Sequence, residues 1–341
     1  EQGFREAQYE YDRMLIKPTI YAGDTKLLEE GIKGNYDAMY KISIYEKNSK
    51  MLFEAAQKGS KKAISKIASF FYNTKLDSEE IIHLKISRKD SFSFLQKAAE
   101  FDPQSAFYYG MCLRNGIEIK KDNQKAFNYF KKSYEGGFKQ KVAALLGLYY
   151  LGKNEESDNE TDFVEKNTNK AFLLFNESLD CNDFFGISCF GYCFYKGIET
   201  SLSFSNPNPE SNTKSNSNSY TSTSNNEAQS SSSAMKNAVH FFKISSDNED
   251  PSGINNYAVS MFQGNTADGS PKLSISFFIK AAEKGCTAAL LNLRKIYSPQ
   301  CPYPSDLIPK IEDGKIDDLE KKCKEAIEKV SKLLPYTPRT V

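Results

Sequence analysis

The residues best suited to chemistry in this chain of 341 residues are seven cysteines and two histidines. Cys189 and Cys193 are four positions apart, so on a helix they share one face and offer half of a tetrahedral zinc site. His83 and His240 are the only histidines, and neither is near that pair in sequence. The spacing permits a metal site without favouring one, and we predict no metal and no other cofactor.

The cysteines fit a packing role better than a redox role. Their number is odd, no two have the Cys-x-x-Cys spacing, and most lie in apolar helical patterns, as Cys112 does in YYGMCL. We interpret them as reduced core residues. This interpretation predicts a cytoplasmic protein.

Other catalytic signatures are missing from the sequence. It contains no glycine-rich phosphate loop ahead of a Lys-Ser/Thr pair, no nucleophile elbow and no histidine pair at zinc spacing. Carboxylates are plentiful, but they fall in expected helix ends and loops, where solvation accounts for them. We therefore expect the chain not to be an enzyme.

Charge and hydropathy narrow the range of partners. Lys and Arg number 45 against 44 Asp and Glu, a net charge of +1, which leaves no basic excess to neutralise phosphates. The longest apolar runs, such as residues 143–151, are shorter than the roughly 18 residues that a membrane span needs. We predict no nucleic-acid binding and no direct membrane insertion.

The elements that carry these residues recur along the chain. One helical frame has a small residue at position 0, an apolar residue at 4, a small residue at 5 and an aromatic or apolar residue at 8. These positions share one helix face, which must be buried. Copies of the frame start at Ala63, Ser105, Val142, Gly186, Gly253 and Ala289.

A second frame follows the first. It has an aromatic residue, a lysine, a pair of small residues, an acidic residue and a turn, and its cleanest copy is residues 277–285. We expect the aromatic residue to fill the gap between adjacent hairpins and the glycine to end the helix at positive φ. A period near forty residues with two helices in each copy predicts an all-α solenoid.

The fullest copy, residues 105–137, resembles the Sel-1-like repeat, a relative of the tetratricopeptide repeat. Its residues at matching places are Gly110, Gly116, Asp122, Lys125, Ala126, Tyr129, Glu135 and Gly137. The resemblance covers about residues 50–297, although the chain has no tryptophan and Tyr, Phe or Leu takes that slot. It implies a right-handed α/α superhelix of about six to seven two-helix repeats. It also implies a non-catalytic scaffold or adaptor that holds a partner protein or peptide in a concave groove.

The pattern predicts three regions. Residues 1–50 hold degenerate N-terminal copies, residues 51–297 hold the array, and residues 298–341 hold a proline-rich segment and an amphipathic helix. We expect a disordered Ser/Asn-rich insertion at about residues 200–234, since its composition buries too little apolar surface to fold. The C-terminal helix is expected to cap the last hairpin, and partner binding is the alternative.

Positions 3 and 7 of each first helix form a stripe beside the buried face, which we expect to reach solvent and a partner. Packing is the alternative role for its aromatic residues. The candidate partner-binding residues are Lys66, Phe70, Tyr108, Cys112, Tyr149, Asn256 and Ser260, with Leu145 on the same stripe.

Two other functions agree with the sequence. The resemblance implies that such arrays can be joined to larger enzymes such as protist protein kinases, and a chain that starts at Glu1 without Met would suit a regulatory segment of that kind. The resemblance also admits an adaptor in endoplasmic-reticulum quality control, for which Asn159 and Asn176 are possible glycosylation sites. That role requires a signal sequence upstream and paired cysteines.

Overall fold

The structure, a computed structural model, describes residues 30–31, 33–46, 48–72, 86–152, 164–198, 227–267, 269–301, 308–312 and 314–333. Over these ranges it contains fourteen long helices and no β-strand, so the all-α class is confirmed. The helices are α1 (Tyr36–Tyr45), α2 (Ser49–Gln57), α3 (Lys61–Tyr72), α4 (Arg88–Ala98), α5 (Pro103–Asn115), α6 (Asn123–Glu135), α7 (Val142–Leu151), α8 (Thr168–Asp180), α9 (Phe184–Tyr195), α10 (Glu227–Asp247), α11 (Pro251–Phe262), α12 (Pro271–Glu283), α13 (Thr287–Ile296) and α14 (Lys315–Leu333).

The chain folds as two compact units, residues 1–109 and residues 110–341. In the first unit, α1 packs on α2 and α3 packs on α4. In the second, α7 packs on α8, α9 on α10, and α11 on α12. Each of these contacts joins the two helices of one predicted repeat.

Short polar side chains fix where the helices begin. The side-chain oxygen of Asn48 accepts a hydrogen bond from Met51 N at 3.1 Å, and that of Asp122 accepts one from Lys125 N at 2.9 Å. Each bond satisfies an amide that has no partner within the helix. At the other end of α6, Gly137 takes a φ of +95°, which turns the chain away from the helix.

Glycines let the two helices of a pair come close together. A Cβ built on Gly147 would lie 2.5 Å from Cε1 of Phe175, whose ring is fully buried. Gly110 meets Phe130 and Gly191 meets Phe242 in the same way. The aromatic residue of the second frame therefore lies against the glycine of its own pair, and the Phe130 ring also lies 6.2 Å, between centroids, from that of Tyr149 in the next pair.

Neighbouring pairs also contact one another. In the second unit, α8 packs on α9 and α10 on α11, while α7, α9 and α11 form a row of first helices in contact. Gly253 at the start of α11 lies against Ser245 of α10, so a small residue on each side permits this approach. Helix pairs stacked through such contacts are the architecture of an α-solenoid.

The predicted boundaries can be compared with the helices only in part. The boundary at residue 50 falls inside α2, and α10 begins at Glu227, so the last eight residues assigned to the insertion are helical. The rest of that insertion lies outside the described residues, as do the copy expected near Glu6 and His83. Helix α14 packs against α12 and α13, where it buries Leu319 and Cys323.

Candidate functional site

Four polar side chains form a stripe along α3. Lys62, Ser65, Lys66 and Ser69 follow the spacing i, i+3, i+4, i+7, so they share one helix face. The four are exposed or partly exposed, whereas Ala63 and Ile67 on the opposite side are fully buried. Helix α3 thus turns one face into the core and leaves a basic, hydroxyl-bearing face open.

This stripe forms the floor of an open cavity of about 450 Å³, which we call the α3 cleft. Helix α1 supplies one wall, and the turn before α5 supplies the other. The lining residues are Tyr40, Lys61, Lys62, Ser65, Lys66, Ser69, Phe101 and Asp102. The cleft lies wholly within the first unit, and it contains Lys66, one of the residues predicted from the sequence.

Aromatic rings hold two of the lysines. Lys61 Nζ lies 5.3 Å from the ring centroid of Phe101, and Lys66 Nζ lies 5.3 Å from that of Phe70. A cation over an aromatic face is attracted to it and loses little of its hydration. Phe70, the second predicted residue, therefore positions Lys66 and is not itself among the residues that line the cleft.

The carboxylates of Asp37 and Asp102, near the cleft, already have hydrogen-bond or ion-pair partners. Asp37 accepts a hydrogen bond from Ser60 Oγ at 2.9 Å and lies 3.2 Å from Lys62 Nζ, and these contacts hold its pKa below the ordinary value. Asp102 accepts a hydrogen bond from Ser105 N at 2.8 Å and so caps α5. Among the lining residues, three lysines thus face a single carboxylate.

Four residues of the predicted stripe lie in the core instead. Cys112 and Ser260 are fully buried, and Tyr149 and Leu145 are no more than 2% exposed. The expectation that they reach solvent was wrong. Helix α7, for example, is covered by its own second helix α8 and by α6 and α9 of the neighbouring pairs, so positions 3 and 7 of that helix are enclosed as well.

Tyr108 is packed against another aromatic ring and is nearly buried. Its ring stacks on that of Tyr72 with centroids 3.9 Å apart and planes 9° from parallel. Only 9% of the residue is exposed, and this burial raises the pKa of its hydroxyl. In the structure, Tyr108 joins α5 to α3.

Asn256 belongs to a buried polar network that the sequence did not reveal. Its Nδ2 donates to Ser188 Oγ at 3.1 Å, while its Oδ1 accepts from Asn255 Nδ2 at 3.0 Å. Asn292 Nδ2 donates to Asn255 Oδ1 at 3.0 Å. The amides thus link α9, α11 and α13, and Asn256 helps to align three successive first helices.

The candidates for metal chemistry are dispersed. Cys189 and Cys193 are buried in an apolar cluster beside Phe190, and His240 is half-buried, which lowers its pKa. Within the described ranges, no group of three or more His, Cys, Asp or Glu residues is placed to hold a metal ion. The same ranges contain no helix that is both long enough and apolar enough to span a membrane.

Paired helices, close glycine contacts and a row of adjoining first helices define an α-solenoid repeat protein. The family model for the Sel1 repeat matches residues 103–138, 145–183 and 251–286. These segments coincide with α5–α6, α7–α8 and α11–α12, together with the turns that follow. Three segments of the chain are therefore similar to Sel1 repeats, and these repeats together with the fold suggest a repeat scaffold for protein interaction.

Known proteins resemble different portions of the chain. The Sel1-repeat-containing protein YjcO of Escherichia coli K12 is 28% identical over 152 residues, which is 43% of this chain and 61% of YjcO. YjcO of Shigella flexneri matches to the same extent. The chain thus spans about three fifths of the length of these curated relatives.

A solved structure supports the fold. The c5321 protein, a protective antigen present in uropathogenic Escherichia coli strains, displays an SLR fold. It superimposes with a TM-score of 0.53 at 14% identity over 91% of this chain and 64% of its own length. At this level of identity the likeness concerns the fold alone.

Sequence reasoning missed seven of the residues that line the cleft, and four of them lie on α3: Lys61, Lys62, Ser65 and Ser69. Their signal was the polar stripe opposite the buried frame of α3, in the segment KKAISKIAS. The repeat frame directed attention to positions shared by all copies, and this stripe is specific to one copy.

Proposed function

We propose that this chain is a non-catalytic interaction scaffold and that the α3 cleft receives a segment of a partner protein. The observation that carries the proposal is the cleft itself, an open cavity of about 450 Å³ built on one first helix and flanked by its neighbours. Its floor is polar while the underlying helix is anchored by buried Ala63 and Ile67, so a ligand meets a fixed surface. Fixed surfaces bind with little loss of conformational entropy.

Site-specific photocrosslinking in the native cells tests this proposal. A photoreactive amino acid at Ser65 lies in the cleft, and the same group at exposed Lys89 of the same unit lies outside it. We expect a defined partner protein to crosslink from position 65 and not from position 89, and to bind the purified full chain directly. Equal crosslinking from both positions, or none from position 65, would refute the assignment.

Variants at Tyr108 and Tyr149 are unsuitable for that test. Both rings are at least nine-tenths buried, so truncation to alanine would disturb packing before it changed any contact with a partner. Substitution of Ser65 by a bulky residue leaves the buried face of α3 unchanged.

A further inference from the structure

The charge and spacing of the α3 cleft point to a more definite ligand. Resting on the function proposed above, we propose that the cleft binds an extended acidic peptide segment through Lys62 and Lys66. The peptide carries carboxylates at alternate positions. Its partner protein is recognised by this pattern and not by an apolar anchor.

The first step is charge. Lys61, Lys62 and Lys66 line the cleft, and Asp102, the one acidic residue among the described residues that line it, already caps α5. Lys62 also contacts Asp37, but the two side chains are 58% and 51% exposed. An ion pair of that exposure is worth only about 0–1 kcal/mol, so a ligand carboxylate can replace Asp37 at Lys62 at little cost.

The second step is spacing. Lys62 and Lys66 are four residues apart on one helix face, a rise of about 6 Å along the axis. In an extended chain, residues i and i+2 are about 6.6 Å apart and point to the same side. Carboxylates at alternate positions of a peptide lying along α3 therefore repeat at nearly the same interval as the two lysines do along the helix axis.

The third step is the polar surface between the charges. Ser69 Oγ donates to Lys66 O at 2.6 Å, which leaves its oxygen free to accept a further N–H group. Ser65 and Tyr40 bring two more hydroxyls to the same cavity. These groups suit the main chain of a peptide, whose amides and carbonyls need partners when water is displaced.

A peptide fits the charge of this protein better than nucleic acid does. The net charge of the chain is only +1, and phosphate backbones are bound by surfaces with a large basic excess. A cluster of three lysines is enough for two or three carboxylates.

Fluorescence anisotropy with the intact chain tests the proposal. Three labelled, amidated ten-residue peptides serve as probes: four aspartates alternating with serines, the same composition with aspartates at every third position, and an asparagine version of the first. We expect the alternating peptide to bind at least about tenfold more tightly than the other two, a difference of about 1.4 kcal/mol. Its affinity should fall as salt screens the charges.

A charge-matched pair of variants locates the binding. Lys62→Gln with Lys66→Gln should weaken the alternating peptide at least about tenfold. Lys50→Gln with Lys89→Gln removes the same charge from exposed positions outside the cleft and should change affinity less than about twofold. Circular dichroism and thermal unfolding verify that both variants fold like the wild type.

The outcomes separate this inference from the proposed function. If a partner crosslinks at Ser65 but the alternating peptide does not bind, the scaffold stands and the acidic specificity is refuted. Equal loss of affinity in both double variants would also refute it, because only overall charge would matter. Duplex DNA is the competitor in the last test. If it displaces the labelled peptide at a lower concentration than unlabelled peptide does, the acidic-peptide proposal is refuted in favour of nucleic-acid binding.

Discussion

At the scale of single residues, Gly147 is a point of close approach between α7 and α8. Gly147→Ala places a methyl group 2.5 Å from the buried Phe175 ring, so the ring must shift. The gain of about 1 kcal/mol in helix propensity only partly offsets the overpacking, and we expect a net loss of about 1–2 kcal/mol in the free energy of unfolding. Urea denaturation measures it.

Gly136 provides the control for that prediction. It ends α6 at a φ of −75°, which any residue adopts, and it is exposed. Gly136→Ala should leave stability unchanged or raise it by up to about 1 kcal/mol. If both variants lose the same free energy of unfolding, the close contact with Phe175 is not the reason why a side chain at position 147 is destabilising.

Asp183 gives the protein a pH dependence. Burial raises its pKa from 3.8 to about 6, and burial raises that of Asp250 to about 6 as well, with the charge of Asp183 adding to the second shift. A folded pKa above the unfolded value means that stability is complete below about pH 4 and is lost as the pH rises through 6. A shift of this size corresponds to about 3 kcal/mol between the two protonation states.

Asp183→Asn removes the part of that dependence that Asp183 contributes, whereas burial still raises the pKa of Asp250. We expect the stability of the variant relative to the wild type to rise by about 2 kcal/mol from pH 4.5 to pH 7.5, because Asn cannot ionise and about 1 kcal/mol of the total effect of Asp183 is already present at pH 4.5. Urea denaturation at the two pH values measures the difference. Asp247→Asn at an exposed position should show no such change, and an equal offset for Asp183→Asn at both pH values would contradict the prediction.

At the scale of elements, α14 packs against α12 and α13. Leu319 of α14 is fully buried there, and Arg294 pairs with Glu320 at the rim of this contact. We expect Leu319→Ala to lower the free energy of unfolding by about 2–4 kcal/mol, since a buried leucine leaves a cavity when truncated. Hydrogen exchange should quicken first in α12 and α13, which α14 contacts.

Lys321→Ala is the matched control on the same helix. Its side chain is exposed, so the substitution should change stability by less than about 0.5 kcal/mol. Exchange that quickens uniformly along the chain after Leu319→Ala would show that α14 does not protect α12 and α13 specifically.

At the scale of the whole molecule, the state of the cysteines is a direct test of the packing. All seven are free thiols, five of them buried and two, Cys181 and Cys301, partly exposed. Burial raises the pKa of Cys286 to about 12, which suppresses the reactive thiolate. We expect a thiol reagent to titrate seven groups in guanidinium without reductant, and only two rapidly in the native protein. Fewer than seven after denaturation would reveal a disulfide.

The repeat frame is what the sequence predicted best. Ala63, Ile67 and Ala68 are fully buried, and the glycine in the small slot at 147 contacts an aromatic ring as a small residue must. Helix periodicity is a local property of the sequence. Apolar residues at that spacing lie on one helix face, and burial of that face removes them from water. The sequence therefore determined the helices, their pairing and the face that each pair buries.

The tertiary structure decided which of the remaining faces stay open. Lys66 and Tyr149 occupy equivalent stripes, yet one lines a cleft and the other is 1% exposed. Periodicity identifies the face that a helix buries most deeply. Whether the adjacent faces are also buried depends on how closely the neighbouring helix pairs approach. Side chains far away in sequence set that distance. The candidate site became visible only when those neighbours were in place.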